Sequence, residues 1–152
     1  MRSALRLSFA VSFLLFSPPP RPVPISIPFE ITDNGLIQVM CQMQSNAGEV
    51  LSCIIDTGAQ NSMATASSVS SQSMRGTPTI GFQTAAGRQT AHLTKQVILL
   101  GEVHLPATVE VTPLIRAMNA DVLIGEDVLS RFQSVSIDYK HHVLTCEAKP
   151  GT

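Results

Sequence analysis

Short apolar runs separated by clusters of turn residues are the feature that most constrains how this sequence can fold. Ile37 to Met43 alternates apolar and polar residues with a period of two, as a half-buried strand does. Ser45 to Gly48 is a turn cluster, and the apolar run Val50 to Ile55 would complete a hairpin. Further hairpins are expected around residues 85–88 and 140–142. Many short strands of this kind predict a mainly-β, barrel-like domain.

Helical features are confined to a few places in the sequence. Glu126 and Asp127 open the segment Glu126–Phe132, where acidic residues interact favourably with a helix dipole, so one or two helical turns are expected there. Residues 64–76 are small and polar without a clear period, which predicts either a short helix or a loop. Pro106, inside the expected strand Val103–Val111, indicates an edge position or a bulge.

The N-terminal region differs in composition from the rest. Arg2 and Arg6 precede the apolar segment Leu7–Phe16, which is typical of a secretory signal and too short to span a bilayer. Export to the periplasm or the outside of the cell is therefore expected. Membrane anchoring is the alternative if the segment stays uncleaved, since no small-x-small site follows it. The predicted organisation is a signal-like segment at 1–17, a Pro-rich spacer at 18–30 and a folded domain at 31–148.

Charge and cysteine content argue against several functions. The formal net charge is −1, only 14% of residues are charged, and no block of like charge exists, so nucleic acid is not an expected partner. The four His and three Cys show no metal-ligand spacing, so we expect neither a metal nor another cofactor. Cys41 and Cys53 are symmetric about residue 47 and would face each other in a symmetric hairpin. Two buried thiols are the simpler expectation, and a disulfide is the alternative.

One aspartate stands out by its context. Asp56 directly follows the apolar run Leu51–Ile55 and precedes Thr57, Gly58 and Ala59. A strand that ends in a turn would also explain Asp and Gly here. The apolar run favours a different interpretation, in which the carboxyl group lies on the floor of a site and acts as an acid or base. A second motif, Ala-Asp-Val-Leu-Ile-Gly-Glu-Asp-Val-Leu-Ser-Arg-Phe, occupies residues 120–132.

Together these two motifs resemble those of the retropepsin-like aspartic proteases, the retroviral-type half of the pepsin clan. Leu123-Ile124-Gly125 is similar to the strand that passes behind the catalytic loop in that family, and Asp127-Val128-Leu129 to the helix that follows. The resemblance extends over about residues 34 to 147. It implies a closed barrel of short strands with a flap hairpin and one short helix near the C-terminus.

The resemblance also implies a role for each matching position. Asp56 matches the catalytic aspartate, and Thr57 matches a residue whose hydroxyl bonds across a dimer. Gly58 and Ala59 match backbone positions that line the substrate cleft. The hairpin Ile80–Thr90 matches the flap that folds over substrate, although an ordinary surface hairpin is the alternative. The tip of that flap would comprise Thr84, Ala85, Ala86 and Gly87.

The expected activity follows from chemistry that needs two carboxyl groups. One must accept a proton from water while the other donates to the carbonyl oxygen, and this sequence has one Asp-Thr-Gly and no internal repeat. We therefore expect an aspartic endopeptidase acting on polypeptides as a homodimer, with Asp56 contributed by each copy. The closing strand Val143–Cys146 is expected to pair with the second copy through an unpaired edge.

Two positions depart from the family pattern. Retroviral members usually carry an acid two residues after the motif glycine and an Arg after the downstream glycine, and these two side chains pair. Here the positions hold Gln60 and Glu126, so the pair is absent. A non-catalytic dimerisation or peptide-binding module on the same fold is therefore the alternative function.

Overall fold

β-Strands make up most of the chain that the computed structural model describes, which is residues 23–84 and 87–149. The predicted signal-like segment at 1–17 lies outside these residues. No helix within them is long and apolar enough to cross a bilayer. The strands are β1 (Ile25–Pro28), β2 (Glu30–Ile31), β3 (Ile37–Met43), β4 (Leu51–Ile55), β5 (Met63–Ala64), β6 (Thr79–Thr84), β7 (Gly87–Leu100), β8 (Val103–Val111), β9 (Val122–Ile124), β10 (Phe132–Asp138) and β11 (Val143–Ala148). Helical segments are 3-10 turns at Gln44–Asn46 and Pro113–Met118 and the α-helix α1 (Glu126–Leu129).

The strands are arranged in two sheets. A small antiparallel sheet has the order β1-β11-β10, and a large mixed sheet has the order β2-β3-β4-β9-β5-β8-β7-β6. β3 also pairs with β7, so the large sheet bends back on itself while β2 and β6 remain its end strands. The mainly-β fold class is confirmed, and so is a short helix near the C-terminus. The arrangement has sheet ends where a closed barrel was expected.

A hydrophobic core fills the space that the sheets enclose. The predicted alternation is present in β3, where Val39 and Met43 are buried while Met40 between them is exposed. The core also receives residues from α1 and from both sheets, among them Leu51, Ile98, Val109, Val122, Val128 and Leu144. Burying each such side chain stabilises the fold by about 1.5–3 kcal/mol before conformational entropy is counted.

The small sheet corrects two expectations. β11 is its central strand, hydrogen-bonded to β1 on one side and to β10 on the other. The prediction that Val143–Cys146 has an unpaired edge is therefore wrong. β1 lies inside residues 18–30, which were predicted to be a spacer, and the side chains of Ile27 and Phe29 belong to the core. The folded part of the chain thus begins before residue 31. The prolines around β1 do not prevent this, since proline is compatible with a short edge strand.

The segment after β5 is a loop, so the helical alternative for residues 64–76 is wrong. Its Ser and Thr hydroxyl groups bond to one another instead, with Thr65 Oγ1 2.6 Å from Ser68 Oγ and Ser70 Oγ 2.7 Å from Ser73 Oγ. Local side-chain bonds of this kind compete with helix formation.

Pro106 is tolerated in β8 because the short β5 pairs only with the end of that strand, Glu110 and Val111.

A disulfide joins Cys41 and Cys53, whose Cα atoms are 5.9 Å apart, so the expectation of two free thiols is wrong. The cysteines are diagonal neighbours and do not face each other directly, since Cys41 pairs with Leu51 in the register of β3 and β4. The hairpin is asymmetric because the last two residues of β3 leave β4 and pair with β7. Cys146 is a buried free thiol, and burial raises its pKa to about 11.

The disulfide determines which thiols of the unfolded protein can be alkylated. Alkylation in denaturant without reductant should label Cys146 alone, and prior reduction should expose all three thiols. A double Cys41→Ala, Cys53→Ala variant should lose about 2–4 kcal/mol of unfolding free energy, because the closed loop restricts the unfolded chain. Cys146→Ala serves as the control, since it truncates a buried cysteine without opening a cross-link. Peptide mass mapping that finds three labels without reductant would contradict the bond.

Candidate active site

Asp56 stands at the carboxyl end of a strand in the middle of the large sheet. β4 lies between β3 and the parallel strand β9, and Ile54 and Ile55 are buried directly before the aspartate. The backbone N–H of Asp56 donates to the carbonyl of Ile124 on β9 at 3.0 Å. The apolar run thus holds the backbone of a half-buried residue in a fixed position.

The residues after Asp56 form a tight turn around its carboxylate. The N–H of Gly58 donates to Asp56 Oδ1 at 2.9 Å, and the N–H of Ala59 lies 3.3 Å from the Asp56 carbonyl oxygen. Turns in which an aspartate accepts a bond from the backbone two residues later are a common use of Asp. Thr57 and Gly58 are exposed. The turn therefore orients the carboxylate at the surface of a single chain.

The second motif passes directly behind this turn. The N–H groups of Glu126 and Asp127 donate to the carbonyls of Ala59 and Gln60, at 2.8 and 3.2 Å. A Cβ atom on Gly125 would lie 2.8 Å from the Ala59 carbonyl oxygen and 2.8 Å from backbone atoms of residue 61. Only glycine permits backbones to approach so closely. The two motifs are thus brought together, as their resemblance to the family implied.

A buried hydroxyl joins the same two segments. Ser62 Oγ donates to Asp127 Oδ1 at 2.7 Å and accepts from the N–H of Gly125 at 3.0 Å. Sequence reasoning missed this role of Ser62, although a polar residue next to an apolar strand was a usable signal. Each bond satisfies a buried polar group that would otherwise cost about 1–3 kcal/mol.

A buried acid supports the loop from the other side. The residue Glu110 on β8 is 7% exposed, and its Oε1 accepts from Asn61 Nδ2 at 2.6 Å. Its backbone N–H donates to the carbonyl of Ser62 at 3.0 Å. Sequence reasoning missed Glu110 and Asn61 as well. The alternation in Val109-Glu110-Val111 would place Glu110 on the solvent-facing side of its strand, so the sequence held no signal for its burial.

The positions that depart from the family pattern are both at the surface. Gln60 and Glu126 are exposed, and the contact between their segments runs through the backbone. The predicted hairpin is present, with β6 and β7 paired up to Thr84 and Gly87. Gly87 has φ +110, a conformation that favours glycine. The predicted tip residues Ala85 and Ala86 lie outside the described residues.

A groove of about 510 Å³ lies away from this loop, between β7 and β8 and the 3-10 turn that follows β3. Lys95, Gln96, Pro106 and Arg131 are among its lining residues, and none of them belongs to the loop of residues 56–62. In a single chain this groove therefore does not coincide with the site around Asp56.

Comparison with known proteins supports the fold. No protein-family model and no curated protein matches the sequence. The crystal structure of a retropepsin-like aspartic protease from Rickettsia conorii is similar, with a TM-score of 0.57 and 18% identity over 83% of this chain and 91% of that chain. The solution structure of the Simian Foamy Virus (mac) protease has a TM-score of 0.46 and 14% identity over 61% of this chain and 91% of that chain. The chain therefore has a retropepsin-like fold, which the first of these likenesses shows.

The close approach at Gly125 predicts a local requirement for glycine. Gly125→Ala should lower the free energy of unfolding by about 1–3 kcal/mol, because the methyl group meets backbone atoms that cannot rotate away. Gly81→Ala is the matched control, since its Cβ would meet only the flexible side chain of Arg88 at 3.5 Å. Urea denaturation of both variants measures the difference. Equal stability of the two variants would contradict the contact.

Proposed function

We propose that this chain is an aspartic endopeptidase that works as a homodimer and activates water between two copies of Asp56. One observation carries the proposal. Asp56 ends a buried central strand, and the N–H of Gly58 orients its carboxylate at the surface of a retropepsin-like fold. A carboxylate held in this way has a fixed direction, which acid–base catalysis requires.

The chemistry needs one carboxyl group in each protonation state. Two carboxyl groups about 3 Å apart share one proton, because both cannot ionise at that distance. The ionised group accepts a proton from water as the water oxygen bonds to the peptide carbonyl carbon. The protonated group donates to the carbonyl oxygen, which takes up the π electron pair. Collapse of this tetrahedral intermediate breaks the C–N bond, and the leaving nitrogen takes the proton that water gave up. One hydroxyl of the intermediate returns a proton to the carboxylate that had donated one, which re-forms the carbonyl and leaves the pair with one shared proton.

The remaining aspartates support a second copy as the source of the other carboxyl group. Asp121 Oδ2 accepts from the N–H of Ser52, and Asp127 Oδ1 accepts from Ser62. Asp138 bonds to His141, and the pKa of Asp138 is lowered, chiefly by the hydrogen bond from the His141 side chain. Each of these three carboxylates thus has a hydrogen-bond partner of its own, and Asp33 lies in an exposed turn. A two-fold axis beside the exposed Thr57 would bring a second Asp56 to the first, with the Thr57 hydroxyl bonding across it.

The hairpin of β6 and β7 is proposed to fold over the substrate. β7 runs without interruption from Gly87 at the hairpin to Leu100 in the core. Ala91, Ile98 and Leu100 are buried along it. A hairpin that continues a core strand has a rigid base, which suits an element that must close on a peptide and open again.

Export is part of the proposal. The disulfide between Cys41 and Cys53 supports it, because disulfides persist mainly in oxidising compartments outside the cytosol. The basic and apolar pattern of residues 1–17 is the sequence argument for the same location. The proposed substrates are therefore polypeptides in the periplasm or outside the cell.

Asp56→Asn tests the catalytic role. This variant should cleave peptides about 10²–10⁴-fold more slowly, because an amide cannot accept a proton from water. Fold and dimer should persist, since Asn keeps an oxygen that can accept from the N–H of Gly58. Asp33→Asn is the control, because it makes the same change at an exposed turn. Cleavage by the Asp56 variant at the parental rate would exclude the dyad, and peptide binding without cleavage by the parent protein would favour a binding module.

Dilution tests the homodimer. Specific activity should fall below the dimer dissociation constant, and sedimentation should show dimers only above it. Thr57→Val should raise that constant about 5- to 150-fold, since a lost buried hydroxyl bond costs about 1–3 kcal/mol. Thr108→Val, at an exposed position of β8, should change nothing. Constant specific activity from a protein that sediments only as a monomer would overturn the two-copy model.

A further inference from the structure

Glu110 is an unusual residue for its position. Among the residues that the structure describes, it is the one charged side chain that is less than a tenth exposed. A buried carboxylate is costly unless a cation or several hydrogen bonds compensate it. Its partner is the neutral amide of Asn61, which bonds to Oε1, and no Lys or Arg within the described residues forms an ion pair with it. Asn61 is therefore the side-chain partner that the described residues give to this carboxyl group, at Oε1.

This carboxylate lies between the two elements that the proposed function assigns to the substrate. Asn61 belongs to the loop that begins at Asp56, and Glu110 also bonds to that loop through its backbone N–H and the carbonyl of Ser62. On its other side β8 pairs with β7, where Leu93 stands opposite Glu110. β7 continues to the hairpin. A peptide held between loop and hairpin would thus pass close to the Glu110 carboxylate.

The surroundings add negative charge and bring no cation into contact. The charged residues of the loop and of the segments hydrogen-bonded to it are all acids, namely Asp56, Glu110, Glu126 and Asp127. Lys95 on β7 is the described cation nearest to Glu110 in the sheet order, because it pairs with Thr108, two positions from Glu110 on the same face of β8. Its exposed side chain forms no ion pair with Glu110.

We propose that Glu110, held by Asn61, receives a Lys or Arg side chain of the polypeptide substrate close to the scissile bond. The inference rests on the proposed function and adds a substrate class to it, which is polypeptides with a basic residue next to the cleavage position. Side chains of an extended peptide alternate between its two faces, so one basic residue can reach the sheet while its neighbours face the hairpin. A charge-assisted bond to Oε2 would then complete the coordination that Asn61 begins.

Glu110→Gln isolates the charge from the packing. Gln keeps the shape and an acceptor for Asn61, so a purely structural role should survive the substitution. Glu147→Gln is the matched control, because it removes the same charge from an exposed position on β11. The probes are pairs of peptides that differ by Lys or Gln at one position, scanned along the residues on both sides of the scissile bond.

The parent protein should prefer Lys at one of these positions by about 10- to 100-fold in kcat/KM, as expected for a bond to a charged group. Glu110→Gln should abolish that preference mainly by raising KM for the Lys peptide, with a smaller effect on the Gln peptide, while Glu147→Gln should leave cleavage of both peptides unchanged. An unaltered preference in Glu110→Gln would overturn the proposal. An equal loss on both peptides would also overturn it, because that result shows a structural role only.

Binding separates this proposal from the proposed function. If the parent protein cleaves neither peptide, the endopeptidase proposal fails, and fluorescence anisotropy with the same labelled peptides then decides about Glu110. Tighter binding of the Lys peptide that Glu110→Gln removes would support the basic subsite on a non-catalytic module. Equal binding of the Lys and Gln peptides to the parent protein would contradict it.

Discussion

The close backbone contact between Gly125 and the loop after Asp56 is the constraint on which the rest of the site depends. It lets the N–H groups that follow β9 bond to the carbonyls of Ala59 and Gln60. The parallel pairing of β4 with β9 connects the same two segments just before the loop, where the N–H of Asp56 donates to the carbonyl of Ile124. Two motifs far apart in sequence are thus locked together by main-chain bonds, which need a glycine and no particular ion pair.

This arrangement explains how the site tolerates its departures from the family pattern. The acid and Arg expected at residues 60 and 126 are absent, yet the loop is supported by backbone bonds and by Ser62, which bonds to Asp127 and Gly125. Asn61 and Glu110 support it from β8. Loss of one pair therefore leaves no buried polar group of this loop without a partner, and the departures alone are a weak argument against catalysis.

Local patterns in the sequence predicted the positions of the strands better than they predicted which strands pair. The alternation of β3 and the apolar run before Asp56 fix which face of each strand is buried, so the hairpins and the strand before Asp56 were predictable. Pairings between distant segments were not. The register of the first hairpin depends on β3 leaving β4 for β7, and β1 covers an edge of β11 that seemed free. The bond between Asn61 and Glu110 spans 49 positions, so only the fold could show it.

Mixed dimers test the central claim most directly. Parent protein and an inactive Asp56→Asn variant should be unfolded together, refolded at a series of ratios above the dimer dissociation constant and assayed for peptide cleavage. If each active site needs Asp56 from two copies, every mixed dimer is inactive, and activity at constant total protein falls as the square of the parent fraction. A linear fall would show that one chain carries a complete site, and would contradict the account.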